Sequence, residues 1–251
     1  MSDPENVRSP ISVSMRPPRT WDFMETLFVA LLADAVFFVA SGLALFLMLT
    51  VHEGAWSLSP AQLQSLWMQG NWQGVAIVVG CPPAIAVIWI AVRKAGRDFS
   101  EYLALNWPSA REIVRAFVIM AFLLVVESVA RSYAGTDPGT AHYRIVNDAG
   151  GLLILLIGGC IAAPIMEEFV VRGFMFRGWS ESFVGPIGAI VLTSAVWALN
   201  HTQYGWFDRF CIFISGLALG HFRWRTNSTW LPVMVHSAVN TSAFFMAGPY
   251  T

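Results

Sequence analysis

Between Pro164 and Gly178 the chain reads Pro-Ile-Met-Glu-Glu-Phe-Val-Val-Arg-Gly-Phe-Met-Phe-Arg-Gly, and the adjacent carboxylates Glu167 and Glu168 close an apolar run that begins at Gly151. An ionisable side chain at membrane depth costs about 2.5 kcal/mol or more, so two together point to a function. On a helix Glu168 and Arg172 stand at i and i+4 with the acid N-terminal, the better orientation for an ion pair. Glu167 is rotated about 100° away from that pair. One glutamate is thus held by an arginine, and its neighbour is free for proton chemistry.

Further polar groups interrupt the apolar segments downstream. His201 follows Trp197 by four residues, and His236 and Asn240 share one helical face at i and i+4. Glu167, His201, His236 and Asn240 are expected to line one polar pocket. Two histidines and a glutamate also form a familiar zinc set, so Glu167, His201 and His236 could ligate a metal, although no HExxH is present. Asp34 and Glu127 lie alone in their segments and are read as pocket-facing or paired structural groups. Cys81, Cys160 and Cys211 occur singly in apolar surroundings, as buried small hydrophobes do.

The elements that position these groups follow from composition. Of 251 residues 56% are hydrophobic and only 12% charged, about half the ~25% of a soluble domain. Mean hydropathy is +0.58. Several apolar stretches approach the roughly 20 residues needed to cross a bilayer. The predicted fold class is all-α, a polytopic transmembrane helical bundle with spans near 21–51, 74–92, 113–130, 151–182, 184–201, 207–222 and 229–247. Residues 1–20 read as a disordered cytoplasmic tail and 21–251 as a single transmembrane domain, with its catalytic core at 151–247. A short interfacial helix is expected at 61–68. Pro82-Pro83 is expected to kink the second span. Gly216 and Gly220 are spaced for close helix packing. A net charge of −1 gives no reason to expect nucleic acid.

Orientation follows from charge. With the N-terminus inside, Arg8, Arg16, Arg19, Arg93, Lys94, Arg97, Arg111, Arg115, Arg172, Arg177, Arg223 and Arg225 are cytoplasmic, leaving Arg131, Arg144 and Arg209 outside. Twelve against three favours seven spans with a cytoplasmic N-terminus. Depth can be gauged as well. Glu167 precedes Val184 by 17 residues and His201 follows it by 17, which puts both about 25 Å from the turn between the fourth and fifth helices. His236, nine residues past Asn227, stands about 13 Å in, nearer the cytoplasm. Pro164 removes the bond to the Cys160 carbonyl and is expected to open the fourth helix just before the carboxylates.

Three short motifs together resemble a known family. Glu167-Glu168-Phe-Val-Val-Arg172 is similar to EExxxR, Trp197-Ala-Leu-Asn-His201 to FxxxH, and His236-Ser-Ala-Val-Asn240 to HxxxN. In order and spacing they resemble the CAAX-protease and bacteriocin-processing (CPBP, or ABI) family of intramembrane proteases, over about residues 100–247. Trp197 departs from the usual Phe, which bears on pocket shape. The resemblance implies metal-independent endopeptidase activity on a membrane-associated peptide or protein, of CAAX C-terminal type among others. It implies that Glu167 deprotonates a water held by His201, and that His236 and Asn240 stabilise the oxyanion. Glu168, Arg172 and Trp197 would anchor the helix and orient substrate. An integral, multi-pass protein in the bilayer (the plasma or inner membrane in a bacterium), with its site open to the cytoplasm, is expected. Other readings stand beside it: a non-catalytic scaffold, regulator or immunity-type protein binding a partner in the same pocket, and a proton-coupled transporter. The odd number of spans and the lack of a repeat speak against the transporter.

Overall fold

A computed structural model describes residues 19–52, 59–62, 69–135 and 149–246. The expected N-terminal tail falls outside them except for its last two residues, and of the 61–68 helix only its start is described. There Ser59 and Gln62 bond reciprocally, as at a helix N-terminus.

Eight helices are described: α1 (Phe23–His52), α2 (Gly70–Lys94), α3 (Phe99–Leu103), α4 (Ala110–Ala134), α5, α6 (Gly185–Asn200), α7 (Trp206–Thr226) and α8 (Trp230–Met246). The fifth is continuous but uneven. It runs through Ala149–Ile157, a π-helical stretch Gly158–Ala162, Ala163–Glu168, a second π-helical stretch Phe169–Met175, and Phe176–Ser180. The first π stretch ends two residues before Pro164, where the missing N–H was expected to loosen the helix. The second follows directly on the glutamates. Such bulges widen the turn and are common at functional sites. Residues Pro82 and Pro83 lie inside an unbroken α2.

Four helices are long and apolar enough to cross a membrane: Phe23–Val51, Gly70–Lys94, Ala110–Ala134 and Gly151–Ser180. The other three expected spans exist as helices with different character. The sixteen residues of α6 are apolar but short. Helix α7 carries Asp208, Arg209, Arg223 and Arg225, and α8 has 17 residues. Large apolar side chains such as Phe28, Val39 and Phe122 stand outward on α1 and α4. Every residue of Phe169–Met175 is buried, so α5 is the axis around which the others pack.

The basic loop after α2 contains a helix that apolar periodicity does not signal. Asp98 caps α3 by accepting from the Glu101 backbone N–H at 3.0 Å. Ala104 ends it in the left-handed region at φ 52°. The chain then pairs with the start of α8: Leu105 bridges Ser228, and Thr229 N–H donates to the Ala104 carbonyl at 2.9 Å. Tyr102 stacks on Phe174 with ring centroids 5.6 Å apart, and Phe23 stacks on Trp179 at 4.9 Å. These contacts pin α3 and the start of α1 to the second half of α5. Helices α2 and α5 touch through glycines. A Cβ on Gly158 would lie 2.8 Å from the Gly74 carbonyl oxygen.

Candidate active site

The two glutamates have divided environments. Glu168 is fully buried, and its Oε1 accepts from Arg172 Nη1 at 3.1 Å and from His236 Nδ1 at 2.9 Å. The i, i+4 pair expected on α5 is therefore present, with a histidine from α8 added to it. Arg172 is also fully buried. Its Nη2 donates to the Gly216 carbonyl at 3.4 Å, and its guanidinium lies 4.4 Å from the Trp197 ring centroid. Gly216 of α7 is needed for close packing, since a Cβ there would lie 2.9 Å from Ser194 Cβ of α6 and 3.2 Å from Arg172 Nη2. Gly220 lies similarly against Ile190 of α6. The placement of Arg172 on a cytoplasmic face is corrected by this burial. Arg223 is buried too, donating from Nε to the Arg172 carbonyl at 3.1 Å. With both set aside, twelve minus two leaves ten against three, and the bias persists.

Glu167 is half-buried and holds a single hydrogen bond among the described residues. Trp197 Nε1 donates to its Oε2 at 2.6 Å. The equal count from the turn placed Glu167 level with His201, but it meets Trp197, one helical turn nearer the hairpin. The helix ends supply the reason: α5 stops at Ser180 and α6 starts at Gly185, so Glu167 lies 13 residues before one end of the turn and Trp197 12 residues after the other. Trp197 also ties the remaining groups together. His201 and His236 present their rings edge-on to the indole, at centroid distances of 5.1 and 5.2 Å.

His201 lies just past the end of α6, with its Nδ1 2.7 Å from the Trp197 carbonyl. A carbonyl only accepts, so Nδ1 carries the proton and Nε2 keeps its lone pair when the ring is neutral. The same argument applies to His236, whose Nδ1 faces the Glu168 carboxylate. Its Nε2 becomes a donor only in the imidazolium form. Asn240 Nδ2 donates to the Gly159 carbonyl at 2.9 Å, within the first π stretch, rather than to the other three pocket residues. The four expected side chains thus form a core of Glu167, His201 and His236 around Trp197, with Asn240 anchored alongside on α5.

Two further acidic groups have partners. Asp34 accepts from Asn200 Nδ2 at 3.2 Å, which ties α1 to the end of α6, one residue before His201. Glu127 pairs with Arg131 at 2.9 Å, and Arg131 with Asp208 at 2.7 Å, joining α4 to α7. Both fit the paired-structural expectation. Among the described residues no group of three His, Cys, Asp or Glu side chains is placed to hold a metal ion.

An all-helical chain with several membrane-length apolar helices and a buried carboxylate–imidazole cluster is an integral membrane protein built around a polar site. Residues 149–242 match the family model described as "Type II CAAX prenyl endopeptidase Rce1-like". The match supports the CAAX-protease and bacteriocin-processing family, a family of peptidases, and it covers all seven residues of the three motifs. No curated protein and no solved structure matches the chain.

Proposed function

We propose that this protein is an intramembrane endopeptidase in which Glu167 activates water against a peptide bond of a membrane-associated substrate, CAAX-type C-termini being the first class to test. The observation that carries this reading is the unequal fate of two neighbouring carboxylates. Glu168 is fully buried and ion-paired through Oε1 with Arg172 and His236, whereas among the described residues Glu167 has no cationic partner, accepts only the Trp197 N–H, and is half-buried. A carboxylate placed against a water can act as general base, and such assistance is worth about 10²- to 10⁴-fold.

In the proposed cycle Glu167 takes a proton from a water that also donates to the free Nε2 of His201. The hydroxide adds to the carbonyl carbon, and the oxyanion is stabilised by protonated His236 and by the second amide hydrogen of Asn240. Each such donor is worth about 3 kcal/mol. Glu167 then returns its proton to the leaving amine. Ten cationic side chains against three suggest seven crossings, a cytoplasmic N-terminus and a site reached from the cytoplasm.

The test uses purified protein in liposomes with internally quenched farnesylated and unmodified CAAX peptides. Replacing Glu167 by Gln is expected to lower turnover at least about 100-fold. Equal turnover of wild type and E167Q would remove the proposal.

A further inference from the structure

Trp197 meets four ionisable groups of the site: Glu167 through its N–H, Arg172 across its face, and His201 and His236 in T-shaped ring contacts. It is buried, at 7% exposed, and an indole has only this one donor. A 2.6 Å contact to a carboxylate oxygen is a short, charge-assisted hydrogen bond. The donor sits on α6 and the acceptor on α5, so the bond also sets the register of the two helices that carry Glu167 and His201.

From this geometry we infer that Trp197 is the positioning residue of Glu167: its N–H fixes Oε2, so that Oε1 is presented to the reacting water beside His201. The inference rests on the reading of Glu167 as the base. A free glutamate rotates about three side-chain bonds and presents either oxygen. With Oε2 tied to a ring that is itself packed under a guanidinium, the carboxylate plane is set and one oxygen is left for chemistry. A phenylalanine at 197 would preserve the ring face under Arg172 and the edges against both histidines. It would remove the donor together with part of the indole's area, so an isostere of full size is needed to separate orientation of the base from packing of the core.

Full-length protein in lipid nanodiscs is used for the test, with Trp197→Phe and with β-(3-benzothienyl)alanine at 197, an isostere of tryptophan that lacks the N–H. Thermal midpoints identify any variant that fails to fold, and the isostere covers the case in which Phe packs poorly. The first readout needs no activity: the infrared carboxylate stretch of Glu167, isolated as the difference between each protein and the same protein carrying E167Q. The second is turnover of a quenched farnesylated CAAX peptide. The expected result is a shifted Glu167 band, with kcat lowered about 10- to 100-fold and KM unchanged, as misplacement of a reacting group by about 1 Å would produce. A band in the same position with and without the N–H overturns the inference, as does a shifted band with unchanged kcat. The reading of Glu167 as base fails separately, by equal rates for wild type and E167Q.

Discussion

His236 Nδ1 and Arg172 Nη1 converge on one oxygen of Glu168, at 2.9 and 3.1 Å, inside a part of the bundle closed to water. Three helical stretches are thereby joined through a single atom: the two halves of α5 on either side of the Glu168 carboxylate, and α8.

Removing one partner of such a cluster leaves a buried charge unpaired and costs about 3–5 kcal/mol. Glu168→Leu and Arg172→Met are each expected to destabilise the protein strongly. The double variant should lose clearly less than the sum of the two, because both charges leave together. Unfolding in detergent, measured for all four proteins of the cycle, tests this. Additive losses would refute the coupling.

Contact between α2 and α5 depends on absent side chains. Gly158→Ala places a Cβ 2.8 Å from the Gly74 carbonyl oxygen, so one backbone must move. A loss of about 1–3 kcal/mol is expected, as for overpacking of a tight core. Gly159→Ala is the control, since a Cβ there meets nothing within 4 Å. Thermal midpoints should fall for the first variant and hold for the second.

Charge at the end of α5 contributes a pH-dependent term. Glu101 of α3 accepts from Arg97 Nη2 at 2.6 Å and from Arg177 Nη2 at 3.3 Å. The Arg97 hydrogen bond, more than the neighbouring guanidinium charges, holds its carboxyl below the ordinary value of 4.5. A depressed folded-state value means that the contribution is whole above pH 4.5 and is lost as pH falls through the lowered one. The group is about half exposed, so the term is expected to stay below about 1 kcal/mol and to shrink with salt. Glu101→Gln should therefore lower the thermal midpoint slightly at pH 7 and leave it unchanged well below pH 4. Equal shifts at both would show that packing, not charge, carries the contact.

Which features were legible in the chain, and which were not, follows from the range of the interactions. The Glu168–Arg172 pair, the shared face of His236 and Asn240, the loosening at Pro164 and the close packing at Gly216 all depend on neighbours within about two turns, where helical periodicity alone sets geometry. Apolar run lengths likewise specified an all-helical membrane protein. The capping of α3 by Asp98 was also local, but its five residues left no apolar period to read.

The partner of His236 and the donor to Glu167 were settled by tertiary structure alone. Both depend on how α5, α6 and α8 are rotated and shifted against one another. Residue counting at 1.5 Å per residue sets neither that rotation nor where each helix ends at the turn. With the turn confined to residues 181–184, Trp197 is the hydrogen-bond partner of Glu167 and not only a shape-filling aromatic.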